Sequence, residues 1–147
     1  MEKQKLGLMV STMATSVLAT AQDQTILPLN IYGFTRYCDF APKDNTTPCY
    51  VKIRYPTDGG VIKVGAFGAT STSSSATKHN CTFDGNLNSV TKVSIRIGFS
   101  YRIRNAISEM GFSYACLGFS TPTVDGSMQI SGVWSPDSIG SYDYAYA

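Results

Sequence analysis

A stretch of strict alternation between apolar and polar side chains, at residues 91–105, constrains the fold of this chain most strongly. Alternation with a period of two is typical of a β-strand that buries one of its faces. Gly98 lies in the middle of the stretch, so we expect a bulge or a bend there. The stretch predicts an all-β protein with a long central strand. Its apolar positions are Val93, Ile95, Ile97, Phe99, Tyr101 and Ile103.

Other segments predict further strands. Cys49–Tyr55 alternates in the same way, and a Pro/Asp/Gly cluster separates it from a second apolar run that begins at Val61, which predicts a β-hairpin. Residues 110–119 carry no charge and are expected to be buried on both faces. About seven strands with turn signals between them predict one antiparallel β-sandwich or small barrel over residues 22–147.

The first 21 residues have the pattern of a secretory signal peptide. Lys3 and Lys5 precede a moderately apolar run, and Ala19-Thr20-Ala21 fits a cleavage site. The alternative is an N-terminal helix that the protein keeps. We expect secretion to an extracellular, periplasmic or cell-surface location, and we find no other candidate for a membrane span.

The overall charge points to no particular partner. The chain has 12 basic and 10 acidic residues, and removal of residues 1–21 takes away two lysines and one glutamate, which leaves 10 and 9. A net charge near zero gives no specific signal for nucleic acid.

Four cysteines in an exported chain predict two disulfides. We expect the pairs Cys38–Cys49 and Cys81–Cys116, with Cys38–Cys81 and Cys49–Cys116 as the alternative. No two cysteines are spaced for a zinc site and the chain has a single histidine, so neither a metal nor a cofactor is predicted.

No catalytic motif stands out, and we predict that the protein is not an enzyme. The single histidine, His79, lies in a Ser/Thr-rich stretch typical of a solvated loop, and GxSxG, Walker A and HExxH motifs are absent from the sequence. A small hydrolase or a secreted inhibitor is retained as a second alternative.

The polar positions of the central stretch form a predicted basic face. Arginine clusters suit carboxylate, sulfate or phosphate groups, so a glycan or an anionic envelope polymer is the expected ligand. The simpler interpretation is a solvated sheet face. Cys49–Tyr55 adds two cations if it joins the same sheet, and an exposed tryptophan would add a sugar platform. The candidate ligand-binding residues are Lys92, Arg96, Arg102, Arg104, Lys52, Arg54 and Trp134.

Both ends of the predicted domain offer candidate assembly residues. They are Leu27, Leu29, Ile31 and Gly33 near the N-terminus, and Tyr142, Tyr144 and Tyr146 in a Tyr-rich tail at residues 136–147. The alternating N-terminal segment and the penultimate tyrosine resemble chaperone–usher pilins, whose N-terminal extensions complete a neighbouring subunit. The resemblance concerns assembly and implies self-association, or association with another surface protein.

Three functional hypotheses follow. The first is a non-enzymatic structural or adhesive subunit of an extracellular filament or pilus-like assembly. The alternative is a secreted binding module, lectin-like or a toxin receptor-binding subunit, that uses the basic face. The inhibitor or hydrolase is the third.

Overall fold

The structure is a computed structural model that describes residues 23–57, 59–138 and 140–147. The predicted signal peptide at residues 1–21 lies outside these residues. The described part of the chain contains twelve strands: β1 (Gln24–Tyr32), β2 (Arg36–Tyr37), β3 (Ala41–Pro42), β4 (Cys49–Tyr55), β5 (Val61–Ala69), β6 (His79–Asn80), β7 (Thr82–Phe83), β8 (Val93–Arg96), β9 (Ser100–Asn105), β10 (Tyr114–Ser120), β11 (Ser127–Ser135) and β12 (Asp143–Tyr144).

The strands form two sheets of six. In the first sheet the order is β1-β11-β4-β9-β12, and β7 also pairs with β9. In the second sheet the order is β2-β10-β5-β6, with β3 on β10 and β8 on β5. The pairings are antiparallel except for β12, which runs parallel to β9.

One hydrophobic cluster holds the two sheets together. The first sheet contributes Ile31, Val51, Ile103 and Trp134, and the second sheet contributes Ile62, Val64, Leu117 and Phe119, all of them at most 1% exposed. Both sheets therefore turn the apolar side of their alternating strands toward a shared core. The predicted all-β class is confirmed. The described residues contain twelve strands, more than the seven or so that were predicted, and seven of the twelve have four or more residues.

The prediction of one long central strand is wrong. Residues 91–105 form two strands, β8 and β9, which lie in different sheets. Gly98 adopts a φ of 100°, and its N–H donates to Ile53 O at 2.7 Å. This left-handed backbone, which favours glycine, turns the chain from one sheet into the other. The predicted bend is present, but it separates two strands where we expected one strand with a bulge.

The predicted hairpin of β4 and β5 is also wrong. β4 pairs with β11 and β9 in the first sheet, whereas β5 pairs with β10, β6 and β8 in the second. The Pro/Asp/Gly cluster between them crosses from sheet to sheet. Alternation identifies the buried face of each strand, but it does not determine which strand lies alongside.

The two predicted disulfides are not formed, and all four cysteines are free. Cys38 lies beside β10 in the second sheet, where its Sγ accepts a hydrogen bond from Leu117 N at 3.3 Å. Cys49 is in β4 of the first sheet, with its Sγ 3.5 Å from Asn105 Nδ2. The expected partners Cys38 and Cys49 therefore belong to different sheets, and a disulfide requires their Cβ atoms to be nearly in contact.

Burial keeps the thiols protonated. It raises the pKa of Cys49 and of Cys116 to about 12, and it also raises the pKa of Cys38 and Cys81. Because the thiolate is the reactive form, these cysteines are expected to be inert packing residues in the folded protein.

Candidate binding site

The turn at Gly98 divides the predicted basic residues between the two sheets. Lys92 precedes β8 of the second sheet and Arg96 is its last residue. Arg102 and Arg104 lie in β9 of the first sheet. The prediction of a single continuous basic face is therefore wrong. The structure brings together a smaller set, on the outward face of the first sheet.

Lys52 and Arg54 lie in the same sheet as the arginines of β9, because β4 pairs directly with β9. Lys52 is opposite Ser100, and Tyr50 is opposite Arg102. Tyr50, Lys52 and Arg54 share one side of β4, opposite to the buried Val51 and Ile53. Arg54 is fully on the surface of this strand, and Lys52 is half-buried.

Tyrosines from the C-terminal tail cover the arginines of β9. Arg102 Cζ and Arg104 Cζ each lie 3.8 Å from the centre of the Tyr144 ring. Arg102 Nε donates to Tyr142 O at 2.5 Å, and the Tyr142 ring lies 5.0 Å from that of Tyr50. A guanidinium over an aromatic face is stabilised by the ring quadrupole, so the tail and the arginines hold each other in place.

Backbone hydrogen bonds anchor the same tail to both sheets. Ala145 N donates to Arg102 O at 2.9 Å, and Ser94 N donates to Tyr146 O at 2.6 Å. Ala145 is 2% exposed and belongs to the core cluster, whereas Tyr142 and Tyr146 are 44% and 49% exposed. The candidate assembly tyrosines thus lie on a fixed strap beside the arginines of β9.

A pocket of about 270 Å³ opens next to this strap. Arg104 and Tyr144 form one wall and Glu109 contributes a carboxylate. The remaining lining is mainly apolar, from Phe83, Leu87, Pro48 and Ala106, with Asn105 and Thr46 as polar neighbours. An apolar cavity with a few convergent polar groups is the usual form of a small-ligand site.

Arg104, which lines this pocket, carries an unsatisfied donor. Its Nε is buried and has no hydrogen-bond partner in the described part of the protein. Buried polar atoms without a partner are uncommon in folded proteins, and a guanidinium donor is best satisfied by a carboxylate, sulfate or phosphate oxygen. The pocket is therefore suited to a ligand that brings an anionic oxygen to Arg104.

A strained residue forms part of the lining of the pocket. Leu87 has a φ of 66°, the only positive value at a non-glycine residue in the described ranges, and it is 65% exposed. The Asp84 carboxylate holds this loop by accepting hydrogen bonds from Asn86 N at 2.8 Å and Asn88 N at 3.0 Å. The bond from Asn88 N is the main cause of the lowered pKa of Asp84, with further contributions from the Asn86 amide and the Asn88 side chain. Strain of this kind is concentrated at functional sites, where the surrounding structure supports it.

Trp134 is placed inside the core. It is 1% exposed, and its position in β11 is opposite Val51 of β4 and Gln24 of β1. A fully covered indole cannot contact a ligand at the surface, so the predicted binding role of Trp134 is wrong.

The N-terminal assembly residues mostly belong to the chain's own first sheet. β1 pairs with β11, and Ile31 is 0% exposed while Leu29 is half-buried. The register shifts between Ile26 and Leu29, which leaves Leu27 outside the ladder and 71% exposed. A Cβ at Gly33 would lie 2.2 Å from Val124 O, so glycine is required there by close packing.

Sequence reasoning found the two arginines of β9 but missed most of the pocket. Leu87, Phe83 and Glu109 lie in segments for which the sequence predicted neither a strand nor a site. One signal was present: Leu87 is an apolar residue inside the polar turn at residues 84–89. An apolar side chain in such a turn suggests a surface contact.

The described residues contain neither a cluster of metal ligands nor a helix suited to a membrane. No group of three or more His, Cys, Asp or Glu residues there could hold a metal ion. No helix in the same part of the chain is long and apolar enough to cross a membrane.

The chain matches a model of a known protein family. A family described as "Protein of unknown function (DUF2712)" matches residues 15–138. No curated protein and no solved structure matches the chain.

Proposed function

Because the chain belongs to the DUF2712 family, whose description assigns no function, we propose a function from the site itself. The protein is an exported, non-enzymatic β-sandwich module that binds an acidic group of a glycan or an envelope polymer in the pocket beside Arg104. The unpartnered, buried Nε of Arg104 is the observation that carries this proposal.

The energetics favour an anionic ligand. A buried donor without a partner costs about 1–3 kcal/mol, and a hydrogen bond to a charged group contributes roughly 1.5–3 kcal/mol. A ligand oxygen at Arg104 Nε would remove the first cost and add the second contribution. An acidic ligand therefore gains more at this position than a neutral ligand of the same shape.

The rest of the pocket suits a sugar better than a bare ion. Phe83, Leu87 and Pro48 provide apolar surface, whereas Glu109 and Asn105 provide groups that accept hydrogen bonds from hydroxyls. The Glu109 carboxylate would repel a second acidic group close to it. The combination favours a sugar with one acidic substituent and free hydroxyls, such as a uronic acid.

Binding to immobilised oligosaccharides tests the proposal. We expect uronic-acid oligomers to bind the wild-type protein and neutral oligomers of the same length not to bind. Arg104→Met keeps the aliphatic stem and removes the donors, and it should weaken binding about 10- to 150-fold, the equivalent of roughly 1.5–3 kcal/mol. Arg96→Met makes the same change in net charge on the second sheet and serves as the matched control. Equal losses in both variants would contradict a specific pocket.

A second candidate function is the structural or adhesive subunit. β1 is an edge strand of the first sheet, and its Leu27 is 71% exposed. Edge strands present backbone groups that can pair with another chain, and an exposed leucine adds apolar contact. In this proposal a neighbouring copy, or another surface protein, lies along β1.

Self-association in solution separates the two functions. Light scattering across a concentration series should show oligomers of the wild-type protein that Leu27→Asp abolishes. Val124→Asp changes a side chain that is 93% exposed but outside the strands, and it should have no effect. A wild-type protein that stays monomeric at high concentration would count against the assembly function and leave the pocket proposal intact.

A further inference from the structure

A lysine and an aspartate meet inside the protein, in a cluster separate from the Arg104 pocket. Lys43 follows β3 and Asp137 follows β11. Their side chains are 0% and 3% exposed, and Lys43 Nζ lies 2.5 Å from Asp137 Oδ1. The protein interior penalises both charges, so a buried pair of this kind is a costly arrangement that needs good hydrogen-bond geometry.

Three acceptors surround the Lys43 ammonium. Nζ donates to Asn45 O at 2.8 Å, to Thr47 O at 2.6 Å and to Asp137 Oδ1 at 2.5 Å. A neutral amine has two N–H groups and one lone pair. Loss of the proton that Nζ donates to Asp137 Oδ1 would leave a lone pair on the side that faces the carboxyl, while the two backbone oxygens keep the other two N–H groups.

The carboxyl of Asp137 is held by backbone donors. Oδ2 accepts from Asp44 N at 2.9 Å, and Oδ1 accepts from Asn45 N at 3.3 Å. Backbone N–H groups in this arrangement polarise a carbonyl group and stabilise the oxyanion that forms when an amine attacks it.

Further hydrogen bonds fix the two reacting segments against each other. Ser138 N donates to Thr47 Oγ1 at 3.1 Å, and Ser135 Oγ donates to Asp137 O at 2.7 Å. Reactants held at contact distance behave as if at very high effective concentration, because the entropy of bringing them together has already been lost in folding.

We propose that Lys43 and Asp137 condense into an intramolecular amide. A bond forms between Lys43 Nζ and Asp137 Cγ, and one C–O bond of the carboxyl breaks. The ammonium gives up two protons, which leave with the carboxyl oxygen as one molecule of water. The step needs no oxidant, reductant or cofactor. Its product joins the loop after β3 to the segment after β11, so it serves as the covalent clamp that the cysteines do not provide.

Asp44 adjoins the pair, because it follows Lys43 in the chain and its N–H donates to Asp137 Oδ2 at 2.9 Å. Burial raises the pKa of its carboxyl, the charge of Asp137 raises it further, and Lys43 lowers it, so this carboxyl senses both members of the pair. A carboxyl with a raised pKa can accept a proton from the ammonium and return it to the leaving oxygen.

Peptide mapping of the native, full-length protein by mass spectrometry tests the amide without any variant. We expect a branched peptide in which residues 43 and 137 are joined, lighter by one molecule of water than the sum of the two linear peptides. Recovery of both linear peptides, with Lys43 and Asp137 unmodified, would overturn the proposal and would identify the contact as an ion pair.

Variants test the chemistry. Asp137→Asn should form the same joined product with loss of ammonia in place of water, because a side-chain amide is also open to attack. Lys43→Arg should give no joined product, whereas Lys63→Arg, a matched change in β5, should leave it unaffected. Asp44→Asn should slow its appearance after refolding. A branched peptide that survives Lys43→Arg would refute the assignment of the bond to this lysine.

Discussion

The replacement of Trp134 by alanine is the sharpest test of whether this residue belongs to the core or to the surface. Trp134 is the only tryptophan in the chain, and it lies in β11, which has β1 on one side and β4 on the other. A buried tryptophan removes about 150–250 Å² from water. At roughly 25 cal/mol per Å² this corresponds to about 4–6 kcal/mol, and tryptophan-to-alanine changes in cores cost about 3–5 kcal/mol. The loss would be a large part of a typical total stability of about 5–15 kcal/mol.

Urea unfolding followed by far-UV circular dichroism measures this loss, because the variant has no tryptophan to report by fluorescence. We expect the midpoint to fall with an unchanged slope, and Val124→Ala, at a position that is 93% exposed, to change stability by less than about 0.5 kcal/mol. In the wild-type protein, acrylamide should barely quench the native fluorescence. Strong native quenching, or a loss below about 1 kcal/mol, would show that Trp134 lies at the surface after all.

Three other predictions concern groups that the structure places in unusual environments. Thiol reagents should not react with the native protein, and rapid modification at neutral pH would contradict that expectation. Because burial raises the pKa of Cys49 and Cys116 to about 12, folding stability should fall as pH rises from about 9, where unfolded thiols lose protons that folded thiols keep. Gly98→Ala should destabilise the protein by about 1 kcal/mol or more in urea unfolding, since open space surrounds the residue and the cost comes from its φ of 100° alone; an unchanged midpoint would argue against the turn. The pKa of Asp84 is lower in the folded protein than its ordinary value of 3.8, so the contribution of its carboxylate to folding stability is present above 3.8 and is lost as pH falls through the lower folded value. The amide of Asn88 should therefore exchange faster with solvent in acid, and Asp84→Asn should abolish that pH dependence.

The sequence was sufficient to identify several strands and their buried faces but insufficient for their arrangement. The period-two pattern identified Cys49–Tyr55 as a strand with the observed bounds. It also assigned Val93, Ile95 and Ile103 correctly to the core. It could not show that Gly98 divides one pattern between two sheets, because each half keeps its own alternation after the turn.

The cysteine prediction failed for a different reason. An even number of cysteines behind an export signal indicates disulfides only if the fold brings pairs of them together. Here Cys49 and Cys116 are both fully buried and lie in strands of different sheets. Counting residues cannot distinguish a sulfur that is needed for a bond from one that fills space.

The candidate site shows the same division between local and long-range information. Arg102 and Arg104 follow from the alternation, because both lie opposite to the apolar face of β9. Their partners, Tyr144 from the tail and Leu87 from a turn, are distant in sequence. The unpartnered state of Arg104 Nε depends on how these three segments pack together. The sequence pattern of one segment therefore cannot predict it.

The arginine side-chain signal of Arg104 in a nitrogen-15 NMR spectrum tests the central claim most directly. Arg104→Lys identifies the Nε–H peak by removing it. On titration with a uronic-acid oligosaccharide, the account predicts that this peak moves downfield and exchanges more slowly with solvent, while the Nε–H peak of Arg96 stays in place. An Arg104 peak that remains unchanged at ligand concentrations that saturate binding elsewhere on the protein would contradict the account.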